Sequence, residues 1–404
     1  MDDTGSFDVL WEPLREVGRD PTSGGYRRFS WTGPDMQSRE WFAQEAARRG
    51  LELETDRNGN LWAWHAAGAG GPALVTGSHL DSVPDGGAFD GPLGVAAGFA
   101  AIDVLRATDR MPTRPVAVVA FVEEEGARFG VPCLGSRLLT GAITTKKALV
   151  LRDAAGVTYA EAVGRAGLDP EAIGWDPERI GRIGTFVELH VEQGRGLVHA
   201  ARAVGVGGGL HPHGRWRLSF RGRADHAGTT ALGDRHDPML PLARTVLAAR
   251  AAAATHGGLA TVGRVLVEPN GTNVIPSMAT IWLDARCPDP AAVRRVVEDV
   301  ARAAEQAAAP DVEVELVEES WSPAVQFGDD LVAAVSSRLD DAPVLASGAG
   351  HDAGVLSAAG VPSVMLFVRN PTGVSHAPDE HAEPEDCRAG VAALADTLET
   401  LAAR

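Results

Sequence analysis

Four short segments carry histidines and carboxylates at spacings suited to a metal centre. Gly77-Ser78-His79-Leu80-Asp81 is followed closely by Gly86-Gly87-Ala88-Phe89-Asp90-Gly91. Asp81 stands two residues after His79 and is expected to accept the second ring proton of that histidine, fixing the tautomer that ligation needs. Asp90, in a glycine-rich loop, can offer an oxygen to each of two cations. Phe121-Val122-Glu123-Glu124-Glu125 ends an apolar run in three adjacent carboxylates. Such charges repel one another beside a buried strand and are costly unless cations neutralise them. Glu188-Leu189-His190-Val191-Glu192-Gln193 and Gly373-Val374-Ser375-His376 supply two further histidines. Strand alternation places His190 and Glu192 on one face.

Together, three histidines, a bridging aspartate and a glutamate make a dinuclear site of nitrogen and oxygen ligands. That donor set suits zinc, manganese, cobalt or nickel rather than calcium. A spare glutamate beside the ligand glutamate supplies a general base. A serine-nucleophile reading fits poorly. Gly77-Ser78-His79 lacks the G-x-S-x-G elbow, and Ser375 and His376 are sequence neighbours whose side chains diverge on a strand.

These groups need strand ends to hold them. Residues 73–78, 115–122, 185–191 and 363–368 are apolar runs of the kind that form buried strands. Helical patterns fall at 8–17, 38–49, 91–106, 329–340, 352–359 and from 385 onward. Strands interleaved with helices give an α/β domain with a largely parallel sheet, whose chemistry belongs at the carboxyl ends of the strands. Residues 204–209, Val-Gly-Val-Gly-Gly-Gly, read as a hinge. Beyond it the rhythm changes to strand 215–221, helix 238–254, strands 261–267 and 279–286, helix 290–308 and strand 312–317. That order is the split β-α-β-β-α-β unit of ferredoxin-like folds. The expected fold is therefore α/β: a catalytic domain with a mostly parallel sheet flanked by helices over 1–210 and 325–404. It is interrupted by an inserted ferredoxin-like α+β domain over 211–324.

Composition narrows the partners. A chain of 404 residues suits two or three domains. Its formal net charge of −17 argues against nucleic acid and anionic membranes, because neither is attracted to a polyanion. An anionic small substrate then needs locally placed arginines. The three cysteines, Cys133, Cys287 and Cys387, are odd in number and far apart, so no disulfide framework follows. No run of about 18 apolar residues predicts a membrane span. The acidic start Met1-Asp2-Asp3-Thr4-Gly5-Ser6 lacks the apolar stretch of a signal peptide, and the expected location is the cytoplasm. Lys146 and Lys147 are the only lysines, which reads as genomic bias toward arginine.

The four segments jointly resemble the dinuclear metallopeptidase/amidase superfamily of carboxypeptidase G-type enzymes and aminoacylases. Within it, His190-Val191-Glu192-Gln193-Gly194 and His226-Ala227-Gly228-Thr229-Thr230 resemble the hydantoinase/carbamoylase branch. That branch holds N-carbamoyl-L-amino acid hydrolases, β-ureidopropionase and allantoate amidohydrolase. The resemblance spans nearly the whole chain, in order. It implies that Asp90 bridges two divalent metals, zinc or manganese with cobalt or nickel as alternatives. His79 and His190 then complete one metal, and Glu125 and His376 the other. Glu124 is implied as general base, with Asp81 supporting His79. Peptidase relatives carry a carboxylate where His190 stands, so histidine there points to the amidase branch. His226 is implied as the oxyanion donor, supplied by the partner subunit of a homodimer. The inserted domain is implied as the lid and dimerisation domain. Asn273, Arg286, Gln193 and His351 are expected to bind a small anionic N-carbamoyl or N-acyl amino acid, with Arg286 forking onto its carboxylate. His211 and His213 read as loop residues. In relatives the Asp90–Gly91 peptide bond is cis.

Two places depart from the branch pattern. Ala231-Leu232 stands where many members read Pro-Met. Allantoate and carbamoylase relatives typically carry Pro-Ser-Arg-Asp-Gly before the equivalent of Val374-Ser375-His376. Here the arginine, Arg369, lies two positions earlier and Pro371 takes its place. The change bears on the substrate rather than on the chemistry. The reading is metal-dependent hydrolysis of a linear C–N bond in allantoate or an N-carbamoyl-L-amino acid, with release of ammonia and carbon dioxide. N-formyl or N-acyl amino acid hydrolysis, a dipeptidase and a non-catalytic binding protein are the alternatives.

Overall fold

The computed structural model describes residues 6–65 and 70–403. Residues 1–5, which carry most of the signal-peptide reading, lie outside the described residues. The chain divides into two compact units, 1–209 with 326–404, and 210–325.

The first unit is built on four mutually parallel strands. Val116–Phe121, Ala73–His79, Ile183–Val191 and Ser363–Val368 lie side by side in that order. Their valine-rich sequences are buried almost throughout, as expected of strands covered on both faces. The helix Pro92–Ala107 crosses this sheet closely. A Cβ on its Gly94 would lie 2.2 Å from the Leu189 carbonyl oxygen, so only glycine permits that approach.

Antiparallel strands extend both edges. Leu61–His65 pairs with Val116–Phe121, and Glu52–Thr55 lies beyond it. Neither is among the predicted strands. Val204–Leu210 pairs antiparallel with Ser363–Val368. The glycine-rich run read as a hinge is thus a strand. Its glycines serve close packing: a Cβ on Gly207 would fall 2.7 Å from the Met365 Cβ.

The second unit is a four-stranded antiparallel sheet in the order Glu313–Ser322, His213–Arg221, Met278–Arg286, Leu259–Glu268. The helices Met239–His256 and Pro290–Ala308 pack against it and against each other. Trp216, Leu218, Phe220, Ile281, Leu283, Val293, Val296 and Val300 form its core. These come from alternate strand positions and from one helical stripe, which is why the pattern was legible. A separate two-stranded ribbon, Asp225–His226 against Val274–Ile275, follows in the chain past the Arg221/Met278 end of the sheet. All three cysteines are buried free thiols. Among the described residues no helix is long and apolar enough to cross a membrane.

Candidate metal centre

Parallel strands bring their carboxyl ends to one edge, and the histidine and carboxylate segments meet there. His79 ends the strand Ala73–His79, and Glu123, Glu124 and Glu125 follow directly on Val116–Phe121. His190 lies near the end of Ile183–Val191, and His376 follows Ser363–Val368 on a loop. Asp90 sits just before the helix Pro92–Ala107. Gly91 turns the chain there with φ +84, and a Cβ on it would lie 2.4 Å from the His79 ring. The expected cis bond at Asp90–Gly91 is absent. The cis bonds among the described residues are Glu268–Pro269 and Ala309–Pro310. The left-handed backbone of Gly91 makes the turn instead.

Asp90 stands between two ligand groups. Its Oδ1 is 3.2 Å from His190 Nε2 and 3.5 Å from His79 Nε2. Its Oδ2 is 3.4 Å from His376 Nε2, which is also 3.5 Å from Glu125 Oε2. His79, Asp90 and His190 form one cluster of potential ligand atoms, and Asp90, Glu125 and His376 the other. His79, Asp90 and His190 are buried, whereas His376 is exposed.

The ring tautomers test whether cations fit. His79 Nδ1 lies 3.1 Å from the Asp81 carbonyl oxygen, and His190 Nδ1 lies 2.9 Å from the Val191 carbonyl oxygen. A carbonyl only accepts, so each neutral ring donates from Nδ1 and presents a bare lone pair at Nε2. Both Nε2 atoms and Glu125 Oε1 are buried with no hydrogen-bond partner. Lone pairs aimed at carboxylate oxygens repel unless a cation lies between them. The residues therefore fit two divalent cations, with Asp90 shared.

A protonated ring can also carry the positive charge that Asp90 requires: burial disfavours it, but the neighbouring carboxylates raise His79 and His190 overall. Burial pushes the Asp90 carboxyl up, but His190, His376 and His79 hold it well below the usual carboxylate range. Burial and the Asp90 charge push Glu125 up to about 7. Partial desolvation of its ring opposes protonation of His376, yet Asp90 and Glu125 raise it to about 9. Burial drives Glu124 well above the carboxylate range despite the opposing pull of His79. Its Oε2 is 3.6 Å from His79 Nε2.

The remaining predicted residues divide between the two units. Asp81 lies at the centre, but its part differs from the expected one. Its backbone carbonyl orients His79, while its Oδ1 is 3.6 Å from His79 Nδ1. The carboxylate instead accepts the backbone N–H groups of Glu124 and Glu125, each at 3.1 Å. It thereby fixes the acidic turn. Gln193 Nε2 donates to Asp90 Oδ2 at 3.1 Å. His351 is buried edge-on to His190, with ring centroids 4.6 Å apart. In the second unit, His226 Nδ1 accepts from the backbone N–H of Gly228 and Thr229, at 3.0 and 3.1 Å. That leaves the neutral ring with its proton on Nε2, as a donor. The Ala227 N–H bonds the Asn273 carbonyl oxygen at 3.1 Å, so His226 and Asn273 are neighbours. Arg286 is not beside them. It sits at the opposite end of Met278–Arg286, where it forks onto Asp284 at 2.7 and 3.0 Å.

Two residues escaped the sequence reading. Glu380 Oε1 accepts the N–H of both Phe89 and Asp90, each at 2.9 Å, and clamps the loop that presents the shared carboxylate. Cys133 Sγ lies 3.2 Å from Glu124 Oε1. Neither carries a motif. Both contacts join segments whose proximity only the fold creates. The displaced Arg369 is bound to Asp386 at 2.8 and 2.9 Å.

Comparison with known proteins adds to this geometry. The profile of peptidase family M20/M25/M40 matches residues 75–400. The chain is 37% identical over 404 residues to an N-carbamoyl-L-amino acid amidohydrolase of Geobacillus stearothermophilus, covering 97% of this chain and 98% of that one. It is 31% identical over 399 residues to the allantoate amidohydrolase of Escherichia coli K12, covering 96% of each. A crystal structure of a hydantoinase/carbamoylase family amidase from Burkholderia vietnamiensis superposes with a TM-score of 0.91 at 30% identity. The match covers 100% of this chain and 98% of that one.

Proposed function

The chain belongs to peptidase family M20/M25/M40, and from that premise we propose that it hydrolyses a linear ureido C–N bond in an N-carbamoyl-L-amino acid or in allantoate, releasing ammonia and carbon dioxide. The observation that carries this reading is the pair of ligand groups sharing Asp90, with the Glu124 carboxylate set against them.

His79, His190 and Asp90 would hold one divalent cation, and Asp90, Glu125 and His376 the other. Lewis acidity toward water and the scissile carbonyl is the chemistry that two such cations, zinc or manganese with cobalt or nickel as alternatives, supply when bound. Glu124 takes a proton from the attacking water and passes it to the leaving nitrogen. Its buried carboxylate, with Oε2 3.6 Å from His79 Nε2, is placed for that shuttle. Gln193 and His351 line the substrate side of the centre in this reading.

The protonated Nε2 of His226 suits an oxyanion donor. Eight strand steps from Met278 to Arg286 span about 26 Å at roughly 3.3 Å per residue. Arg286 pairs with His213, close to where the chain enters this unit, and His226 lies beyond the other end. The reading includes a homodimer, in which Arg286 forks onto the substrate carboxylate while His226 and Asn273 serve the partner's centre. In this proposal the inserted unit is the lid and dimerisation domain, and the enzyme works in the cytoplasm.

The test is metal-dependent ammonia release from allantoate and a panel of N-carbamoyl-L-amino acids, using stripped enzyme reloaded with manganese or zinc. Release that requires metal supports the reading. No release from a metal-loaded, folded enzyme would overturn it. An N-formyl or N-acyl amino acid substrate is the second reading. The commitment of Arg369 to Asp386, with Pro371 in the following loop, favours it. Formate or carboxylic acid release without ammonia would establish it.

A further inference from the structure

We propose that Cys133 is a positioning residue for Glu124, its thiol donating a hydrogen bond that holds the carboxylate in the orientation a general base needs. This rests on the reading of Glu124 as that base.

The backbone builds the contact first. The N–H groups of Cys133, Leu134 and Gly135 donate in succession to the carbonyls of Glu124, Glu123 and Val122, at 2.6, 3.0 and 2.9 Å. Three consecutive bonds lay the start of the helix Leu134–Thr140 along the acidic run. Gly135 makes this approach possible. A Cβ there would lie 2.8 Å from the Val122 carbonyl oxygen and 2.2 Å from Asn60 Oδ1. Cys133 is held in the left-handed region with φ +52, a conformation uncommon outside glycine.

That backbone places the side chain against the carboxylate. Sγ lies 3.2 Å from Glu124 Oε1, and both residues are buried. A base-competent carboxylate has only acceptor oxygens, so the thiol is the donor. With Oε1 engaged, Oε2 remains for the proton. Oε2 is the oxygen on the ligand side, 3.6 Å from His79 Nε2. A carboxylate without this tether is free to rotate about its terminal bond, and the fraction of time spent correctly aimed falls.

The experiment compares the metal-loaded, full-length enzyme with Cys133→Ser, Cys133→Val and Cys133→Ala. It reads kcat, KM, metal content and melting temperature. Serine keeps a donor, valine fills the space without one, and alanine does neither. The expected result is a kcat loss of roughly tenfold or more for valine and alanine, the scale of one hydrogen bond to a charged group. KM and metal content stay near wild type, and serine recovers kcat to within about threefold. Wild-type kcat in the valine variant overturns the proposal. So does a serine variant as slow as alanine when both are folded and metal-loaded. If valine does not fold, the serine and alanine pair decides. Glu124→Gln, run alongside, isolates the premise. Retained turnover there defeats the base assignment itself. Lost turnover there with unimpaired Cys133 variants defeats only the present inference.

Discussion

His190 Nε2 faces Asp90 Oδ1 across 3.2 Å while Nδ1 of the same ring is committed to the Val191 carbonyl. The second ring, His79, repeats the arrangement with the Asp81 carbonyl. Two acceptors aimed at each other in a buried site are unfavourable, and a divalent cation between them removes the conflict. His79→Ala and His190→Ala should therefore each lower bound metal from about two equivalents toward about one, and Asp90→Ala should lose both. Elemental analysis of the purified variants measures this. Full metal content in Asp90→Ala would refute a shared carboxylate.

Metal binding should strengthen as pH rises from 6 to 8. Burial and neighbouring charge raise Glu125 to about 7 and Glu380 to about 8, against an ordinary 4.5. These groups are carboxyls, so the metal-free fold binds more protons than the unfolded chain between 4.5 and these values. Their contribution to stability is complete below 4.5 and is lost as pH rises through about 7 to 8. A cation at Glu125 has to displace a proton at the low end of that window. Each proton released changes affinity by about 1.4 kcal/mol per pH unit. The metal-dependent rise in melting temperature should accordingly be larger at pH 8 than at pH 6. An equal rise at both would contradict the linkage.

Subunit mixing tests whether His226 acts on the partner's centre. Glu124→Ala and His226→Ala homodimers should both be nearly inactive. In the mixed dimer, the centre with an intact Glu124 receives its histidine from the other chain. Co-refolding equal amounts should restore about a quarter of wild-type activity, because half the dimers are mixed and half their centres are complete. Absence of any recovery, with mixed dimers verified by mass, would place His226 on its own chain's centre or outside the chemistry.

Much of the centre was legible because its residues stand beside strongly apolar strands. His79, Glu124, Glu125 and His190 follow or end runs that have no alternative to burial, and parallel strands align such ends. The ferredoxin-like unit was legible for a similar reason: its periodicity changes clearly between strand and helix. The short strands Glu52–Thr55 and Leu61–His65 carry no such signal. The stretch 204–209 was misread because glycine marks both a hinge and a strand that must pack closely, and only the Met365 side chain distinguishes them.

The sequence by itself thus determined the kinds of candidate ligand, their order and the strands that carry them, since hydrophobic period and donor chemistry are local properties. Only the tertiary structure decided which atoms face one another. It gave the orientation of His79 to the Asp81 carbonyl rather than to its carboxylate. It set Glu380 against Asp90 across 290 residues of chain, and Cys133 against Glu124. It put Arg286 at one end of the four-stranded sheet and His226 on a separate ribbon past the other end. Hydrogen bonds are directional and act over about 3 Å. Their partners are fixed by packing and register, which a linear pattern does not encode.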